Sequence, residues 1–178
     1  FHLIAPFLYD KEGVVASGGA VYLSNGIKIG EDGQISFQLK SWLTSFQTLE
    51  YIRGFIFGRL GLNRFGGNLI ISGALGLFER ETVVGLGGYL ERAVGEDMEL
   101  VIRLQKEAHY RSERGRVAQV STPICFSQGP EDLSGLAAQR ARWQQGLAES
   151  LLLHRGMWFN PKNKVTGLFT VPSYLLFE

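Results

Sequence analysis

Hydrophobic residues between positions 130 and 155 recur at the spacing of one long amphipathic helix. Such spacing places them on one side of a helix. Pro130 suits the first turn, and Glu131 and Asp132 follow it where the helix dipole favours negative charge. The pattern therefore predicts a helix over residues 130–155. Its apolar positions are Leu133, Leu136, Trp143, Leu147 and Leu151.

Shorter patterns along the chain predict strands that alternate with helices, which is typical of an α/β fold. The predicted strands cover residues 14–16, 20–23, 69–71, 74–78 and 117–126. The predicted helices cover residues 36–60, 79–84 and 96–109, and residues 1–9 read as the end of an apolar helix. Gly18 and Gly19 between the first two strands predict a bend or bulge.

Composition limits the classes of protein that fit. The chain has 178 residues, enough for one domain with a sizeable core. A net charge of +1 without a run of Lys or Arg gives no argument for a nucleic-acid partner. Cys125 is the single cysteine, so a disulfide framework is excluded. The histidines (His2, His109 and His154) lie far apart and lack the spacing of zinc ligands.

Three residues of the 130–155 helix share a face that suits a sugar and a phosphate. Gln139, Arg142 and Trp143 stand at i, i+3 and i+4. An arginine can hold phosphate oxygens in a bidentate fork, and an indole offers an apolar face to a pyranose. The alternative is an ordinary half-buried helix, with the indole packed inward and the arginine reaching outward.

A second group of candidate residues is Gly95-Glu96-Asp97, at the start of the predicted 96–109 helix. One of its carboxylates could act as a general base that takes a proton from an attacking hydroxyl. The alternative is that Glu96 or Asp97 only caps the helix. Together with the Arg142 and Trp143 face, a base would complete the groups needed for direct displacement at an anomeric carbon, since the cation stabilises a departing diphosphate.

The apolar run at 165–177 is too short to span a bilayer by itself. Arg155, Lys162 and Lys164 precede it, as on the cytoplasmic flank of a membrane helix. The run could open such a helix, or it could be a buried terminal element of a soluble domain.

Four segments of the chain resemble the C-terminal part of membrane-bound family 2 glycosyltransferases, the group of hyaluronan, cellulose and poly-N-acetylglucosamine synthases. They are SGALGLF at 72–78 with the following 84–89, GEDMEL at 95–100, the Gln-x-x-Arg-Trp pattern at Gln139, Arg142 and Trp143, and the tail with Asn160-Pro161 and residues 172–178.

This resemblance implies the C-terminal portion of a GT-A fold. Residues 1–150 would be the acceptor-side part, without the nucleotide-binding part, and residues 151–178 an interfacial segment and the start of a transmembrane helix. The full-length protein would then be a multi-pass membrane protein with its catalytic face in the cytoplasm, in contact with membrane lipid.

The resemblance also implies an inverting transfer from a UDP-sugar to a saccharide acceptor, with roles for seven residues. Asp97 would be the base, with Glu96 supporting the site, and Arg142 would contact the donor diphosphate. The acceptor would lie against Trp143, Gln139, Ser72 and Gly73. All of this requires the carboxylate of Asp97 and the indole of Trp143 to open onto one cavity.

Two departures from the family pattern are visible. The Asp-x-Asp that holds Mg²⁺ or Mn²⁺ is absent and is expected upstream of Phe1, so the 178 residues alone would be inactive. Gln128 stands where many relatives have a glutamate. Two other readings stay open: a non-catalytic carbohydrate-binding or regulatory domain of this fold, and a soluble family 2 transferase that adds a single sugar.

Overall fold

A three-stranded sheet forms the centre of the computed structural model, which describes residues 2–10, 13–38, 41–111 and 115–177. Its strands are β1 (Val14–Leu23), β4 (Gly76–Phe78) and β5 (Arg116–Ser127), in the order β4-β1-β5. β1 runs parallel to β5 and antiparallel to β4. A separate antiparallel pair consists of β2 (Ile27–Ile29) and β3 (Ile35–Phe37).

Helices α2, α3 and α5 pack against this mixed sheet, so the predicted α/β class is confirmed. The α-helices are α1 (Ala5–Tyr9), α2 (Trp42–Tyr51), α3 (Arg59–Arg64), α4 (Arg80–Gly85), α5 (Glu96–Arg111), α6 (Leu133–Leu153) and α7 (Val171–Phe177). Segments Ile52–Gly58 and Thr166–Thr170 are π-helical, and Ser24–Gly26, Arg155–Met157 and Pro161–Asn163 are 3₁₀ turns. No helix in the described part of the chain combines the length and apolarity needed to cross a membrane.

The two strands predicted at the start of the chain form the single strand β1. Its register against β5 shifts between Gly19 and Ala20 and again between Ala20 and Val21, which confirms the predicted irregularity. A side chain at Gly18 would come within 3.1 Å of Ile71 and Gln119. The glycine there therefore allows close packing on the sheet.

Helix α5 is packed on two sides, which fixes its N-terminal end in space. One side contributes Leu100, Val101 and Leu104 to a cluster with Val15, Ala16, Ile71 and Val117. The other side contributes Ile102 to a cluster with Leu69, Leu147, Leu151, Met157 and Val171. Residues of the 151–177 segment therefore share a hydrophobic cluster with α5 and α6.

Two predicted elements are wrong in detail. Residues 69–71 are not a strand; Leu69 and Ile71 are buried in the two clusters, and burial produces the same apolar run that a central strand would show. The helix predicted over 36–60 begins at Trp42, because the Ser41 hydroxyl accepts the N–H of Thr44 and caps it. Residues 39 and 40 lie outside the described residues.

The long helix predicted over 130–155 is confirmed as α6, with a different start. Asp132 is its N-cap, since its carboxylate accepts the N–H of Gly135 at 2.8 Å. Pro130 therefore precedes the helix and does not lie in its first turn. At the chain ends, α1 and α7 fall within the predicted apolar segments, while residues 1, 11, 12 and 178 lie outside the described residues.

Candidate active site

A cavity of about 580 Å³ lies where the start of α5, the middle of α6 and the end of α2 meet. This volume is typical of small-molecule sites. Asp97 and Trp143 both line it, as the sequence predicts. The seven residues to which the sequence assigns roles all lie on its wall: Ser72, Gly73, Glu96, Asp97, Gln139, Arg142 and Trp143.

Two backbone N–H groups hold the Asp97 carboxylate at the cavity wall. The N–H of Gly73 donates to Oδ2 at 2.8 Å, and the N–H of Met98 donates to Oδ1 at 2.8 Å. A side chain at Gly73 would lie 3.0 Å from Oδ2, so the close approach favours glycine. Because Met98 belongs to the first turn of α5, Asp97 also satisfies a helix-terminal donor. The capping interpretation is therefore compatible with an oriented carboxylate on the cavity wall.

Two glycines bring α5 and α6 together beside this carboxylate. A Cβ at Gly95 would lie 3.0 Å from the backbone of Gly146, and a Cβ at Gly146 would lie 2.9 Å from the Cα of Gly95. Gly95 precedes Asp97 by two residues, and Gly146 follows Trp143 by one helical turn. This backbone contact therefore sets the separation between the acidic and aromatic walls of the cavity.

The indole of Trp143 stands in the cavity and is not sealed in the core. It is 42% exposed. The Tyr51 ring lies 6.3 Å from it between centroids, at 47°. The Arg140 guanidinium lies 4.3 Å from the centroid of the indole. The alternative of an indole packed inward is therefore wrong.

Arg142 and Arg140 differ in their surroundings. Arg140 makes an ion pair with Glu50 at 2.5 Å. Arg142 is exposed, and no carboxylate among the described residues pairs with it. The positive charge of Arg142 is therefore available to an anionic ligand in the cavity.

The comparison with known families assigns the chain to one of them. The sequence model of "Glycosyl transferase family group 2" matches residues 17–177. The chain belongs to this family. A sequence search of curated proteins returned no significant match. Membership of family 2 implies a nucleotide-sugar donor and an acceptor, and the mixed sheet is consistent with a GT-A-like domain. The individual roles of the seven cavity residues stay predictions.

The family 2 domain also builds its cavity from a helix whose role the sequence analysis missed. Helix α2, the π-helical segment after it and the first residue of α3 place five polar and aromatic residues on the wall: Glu50, Tyr51, Arg53, Phe55 and Arg59. Burial raises the pKa of Tyr51, and the positive charge of Arg140 opposes that rise. The local sequence of α2 indicates only an apolar helix, because its link to α6 spans 90 residues.

The described residues of this family 2 domain do not fit a divalent metal. No group of three or more His, Cys, Asp or Glu side chains within residues 2–10, 13–38, 41–111 and 115–177 could hold one. Both carboxylate oxygens of Asp97 accept backbone N–H groups. A metal site would need ligands from elsewhere.

A buried carboxylate braces the helix that carries Asp97. Glu99 accepts from Arg103 at 2.7 Å and bonds the His154 ring at 3.0 Å. Arg103 also donates to the carbonyls of Leu86 and Gly88, at 2.5 and 2.7 Å. Burial lowers the pKa of His154, although the bond to Glu99 works in the opposite direction. The network ties α5 to the end of α6 and to the glycine loop that precedes α5.

Proposed function

We propose that this domain moves a sugar from a UDP-sugar to a hydroxyl of a saccharide acceptor, with inversion at the anomeric carbon. By resemblance to hyaluronan, cellulose and poly-N-acetylglucosamine synthases, the product would be a polysaccharide. The observation that carries the proposal is the placement of a hydrogen-bonded carboxylate, an exposed arginine and a half-exposed indole around one cavity.

The proposed reaction is a single displacement. The Asp97 carboxylate takes the proton of the acceptor hydroxyl while that oxygen forms a bond to the anomeric carbon. The bond from this carbon to the diphosphate oxygen breaks, and the electron pair leaves with the nucleoside diphosphate. The N–H groups of Gly73 and Met98 keep the carboxylate oriented, and each oxygen retains a lone pair for the proton. Glu96, which is exposed on the same wall, supports this side of the site.

Side chains of α6 would bind the two substrates. The Arg142 guanidinium binds the diphosphate and stabilises the charge that develops on it. The Trp143 indole stacks on the terminal sugar of the acceptor, beside Ser72 and Gly73. Gln139 lines the same cavity, and its side-chain amide would bridge hydroxyls of the acceptor.

A divalent cation, Mg²⁺ or Mn²⁺, stays part of the proposal for the full-length enzyme. Such a cation would neutralise charge on the diphosphate when bound. Its ligands would come from an Asp-x-Asp outside the described residues.

Membrane association is proposed on two grounds. The first is the resemblance to membrane-bound synthases. The second is a set of exposed apolar side chains between positions 152 and 176, a part of the chain that also contains Lys162 and Lys164, and this combination suits the cytoplasmic surface of a bilayer. These side chains are Leu152, Leu153, Phe159, Leu168, Phe169 and Leu176.

Asp97→Asn tests the proposed function. In the full-length protein, with UDP-glucose, UDP-N-acetylglucosamine and UDP-glucuronic acid as donors, we expect the variant to lower kcat about a thousandfold. Affinity for UDP, measured by calorimetry, should change little because a base acts mainly in the transition state. Glu91→Gln is the matched control, since Glu91 is exposed and lies outside the cavity wall.

Near-normal turnover by the Asp97 variant would show that this carboxylate is not the base. A parent protein that binds cellotetraose or chitotetraose but transfers no sugar from any donor would favour the non-catalytic carbohydrate-binding domain instead.

A further inference from the structure

The Trp143 indole needs something other than core packing to hold its orientation. It is 42% exposed, so solvent borders much of its surface. An aromatic plate that rotates freely would lose that freedom when a sugar stacks on it, and the loss would weaken binding. The groups that contact the indole from the cavity wall are therefore relevant to acceptor affinity.

Arg140 contacts the indole and a carboxylate at the same time. Its guanidinium carbon lies 4.3 Å from the centroid of Trp143, within the range of a cation–π contact. One of its terminal nitrogens lies 2.5 Å from Oε2 of Glu50. A planar guanidinium can stack with its face and pair with its edge, which an ammonium cannot do.

Two neighbouring residues of α2 connect this helix to the indole, one through Arg140 and one directly. Glu50 fixes Arg140, and Tyr51, the next residue, places its ring 6.3 Å from the indole. Tyr51 is buried, whereas the side chains of Glu50 and Arg140 are 30% and 25% exposed. The ion pair thus joins a firmly packed part of α2 to the exposed part of α6.

We propose that Glu50 and Arg140 are positioning residues that hold the Trp143 indole against Tyr51 in the orientation that receives the acceptor sugar. The assignment of a sugar to this surface rests on the proposed function; the positioning itself rests on the contacts above. Because the Arg140 charge is engaged by Glu50, Arg140 acts on the acceptor side through the indole. Arg142, two residues away, acts on the donor.

The first test reads the indole directly. In the full-length protein, 5-fluorotryptophan labelling gives one ¹⁹F resonance for each tryptophan, and Trp143→Phe assigns the resonance of Trp143. In Glu50→Gln, which leaves Arg140 in place, we expect the Trp143 resonance to shift and broaden. The resonances of Trp42 and Trp158 should stay unchanged and report an intact fold. Arg140→Lys keeps the positive charge but removes the planar guanidinium that stacks on the indole. We expect this variant to change the chemical shift of the Trp143 resonance as well.

The second test measures the consequence for binding. Chitotetraose or cellotetraose, whichever the parent binds, is titrated against the Trp143 resonance. Since a cation–π contact is a weak interaction, we expect Glu50→Gln to weaken saccharide affinity about fivefold. Affinity for UDP should stay unchanged, and Glu91→Gln should match the parent in both titrations.

A Trp143 resonance that is identical in the parent, Glu50→Gln and Arg140→Lys would overturn the positioning inference. So would a shifted resonance with unchanged saccharide affinity. If the parent transfers no sugar, the proposed function fails, while the resonance comparison between parent and Glu50→Gln still decides whether the ion pair positions the indole.

Discussion

Two arginines two residues apart on α6 have different chemistry because their neighbours differ. Arg140 is paired with Glu50 and stacks on the indole. Arg142 is exposed on the same cavity, and the described residues supply it with no carboxylate. A free guanidinium retains its full capacity for a bidentate bond to phosphate, whereas a paired one must first lose its partner. Residue type alone does not distinguish these two cases.

Arg142→Gln should therefore raise the KM for the UDP-sugar by about tenfold to a hundredfold, the range expected when a charge-assisted contact is lost. The KM for the acceptor should change little. Arg92→Gln is the control, because Arg92 is exposed and lies outside the cavity wall. An unchanged donor KM in steady-state assays would exclude Arg142 from the diphosphate site.

At the scale of elements, the site depends on how closely α5 and α6 approach. The contact between Gly95 and Gly146 is tighter than a side chain on either residue would permit. Helix α6 contains another glycine, Gly135, where a Cβ would meet Pro130 at an ordinary 3.4 Å. The same helix therefore contains one glycine required by packing and one that packing does not require.

Gly146→Ala should destabilise the fold by about 1–3 kcal/mol, since overpacking forces the two helices apart. Gly135→Ala should instead stabilise it, by up to about 1 kcal/mol, because alanine favours a helix and the N–H bond to Asp132 is kept. Urea unfolding of both variants measures the difference. Equal stabilities for the two would mean that the α5–α6 contact is looser than the structure indicates.

At the scale of the molecule, the Glu99 network connects segments that are distant along the chain. Glu99 has a side chain only 1% exposed and contacts both Arg103 and His154. Arg103 in turn holds the loop at Leu86 and Gly88. Removing one member would leave a buried polar group without its partner, which is costly. The network therefore links the stability of the fold to the orientation of the helix that carries Asp97.

His154 makes that link sensitive to pH. Burial lowers its pKa below the ordinary value of 6.5, so the unfolded chain binds a proton more readily than the folded protein does. The contribution of neutral His154 to the free energy of unfolding is fully present above pH 6.5, and it is lost as the pH falls through the pKa of the folded state. We expect the free energy of unfolding of the parent to fall more steeply below pH 6.5 than that of His154→Gln. Urea titrations between pH 8 and pH 5 measure this; parallel curves would contradict it.

The sequence by itself determined the elements that depend on near neighbours. The apolar spacing on α6, the polar start of α5 and the β-rich run of β5 all predict what the structure contains, because helix and strand patterns are local. The Gly-Glu-Asp and Gln-x-x-Arg-Trp residues could also be recognised as candidate catalytic and ligand-binding groups. The strand predicted at residues 69–71 is wrong. A short apolar run indicates burial, but it does not distinguish a strand from a buried irregular segment.

Only the tertiary structure decided which of these residues meet. Asp97 and Trp143 share a cavity because Gly95 and Gly146 allow α5 and α6 to pack closely. Helix α2 is attached to α6 by the ion pair between Glu50 and Arg140, which are 90 positions apart in the sequence. Such contacts depend on the path of the whole chain, and no short stretch of sequence encodes that path. The functional side chains of the site can therefore be predicted from the sequence, whereas their arrangement around the cavity and the role of Glu50 cannot.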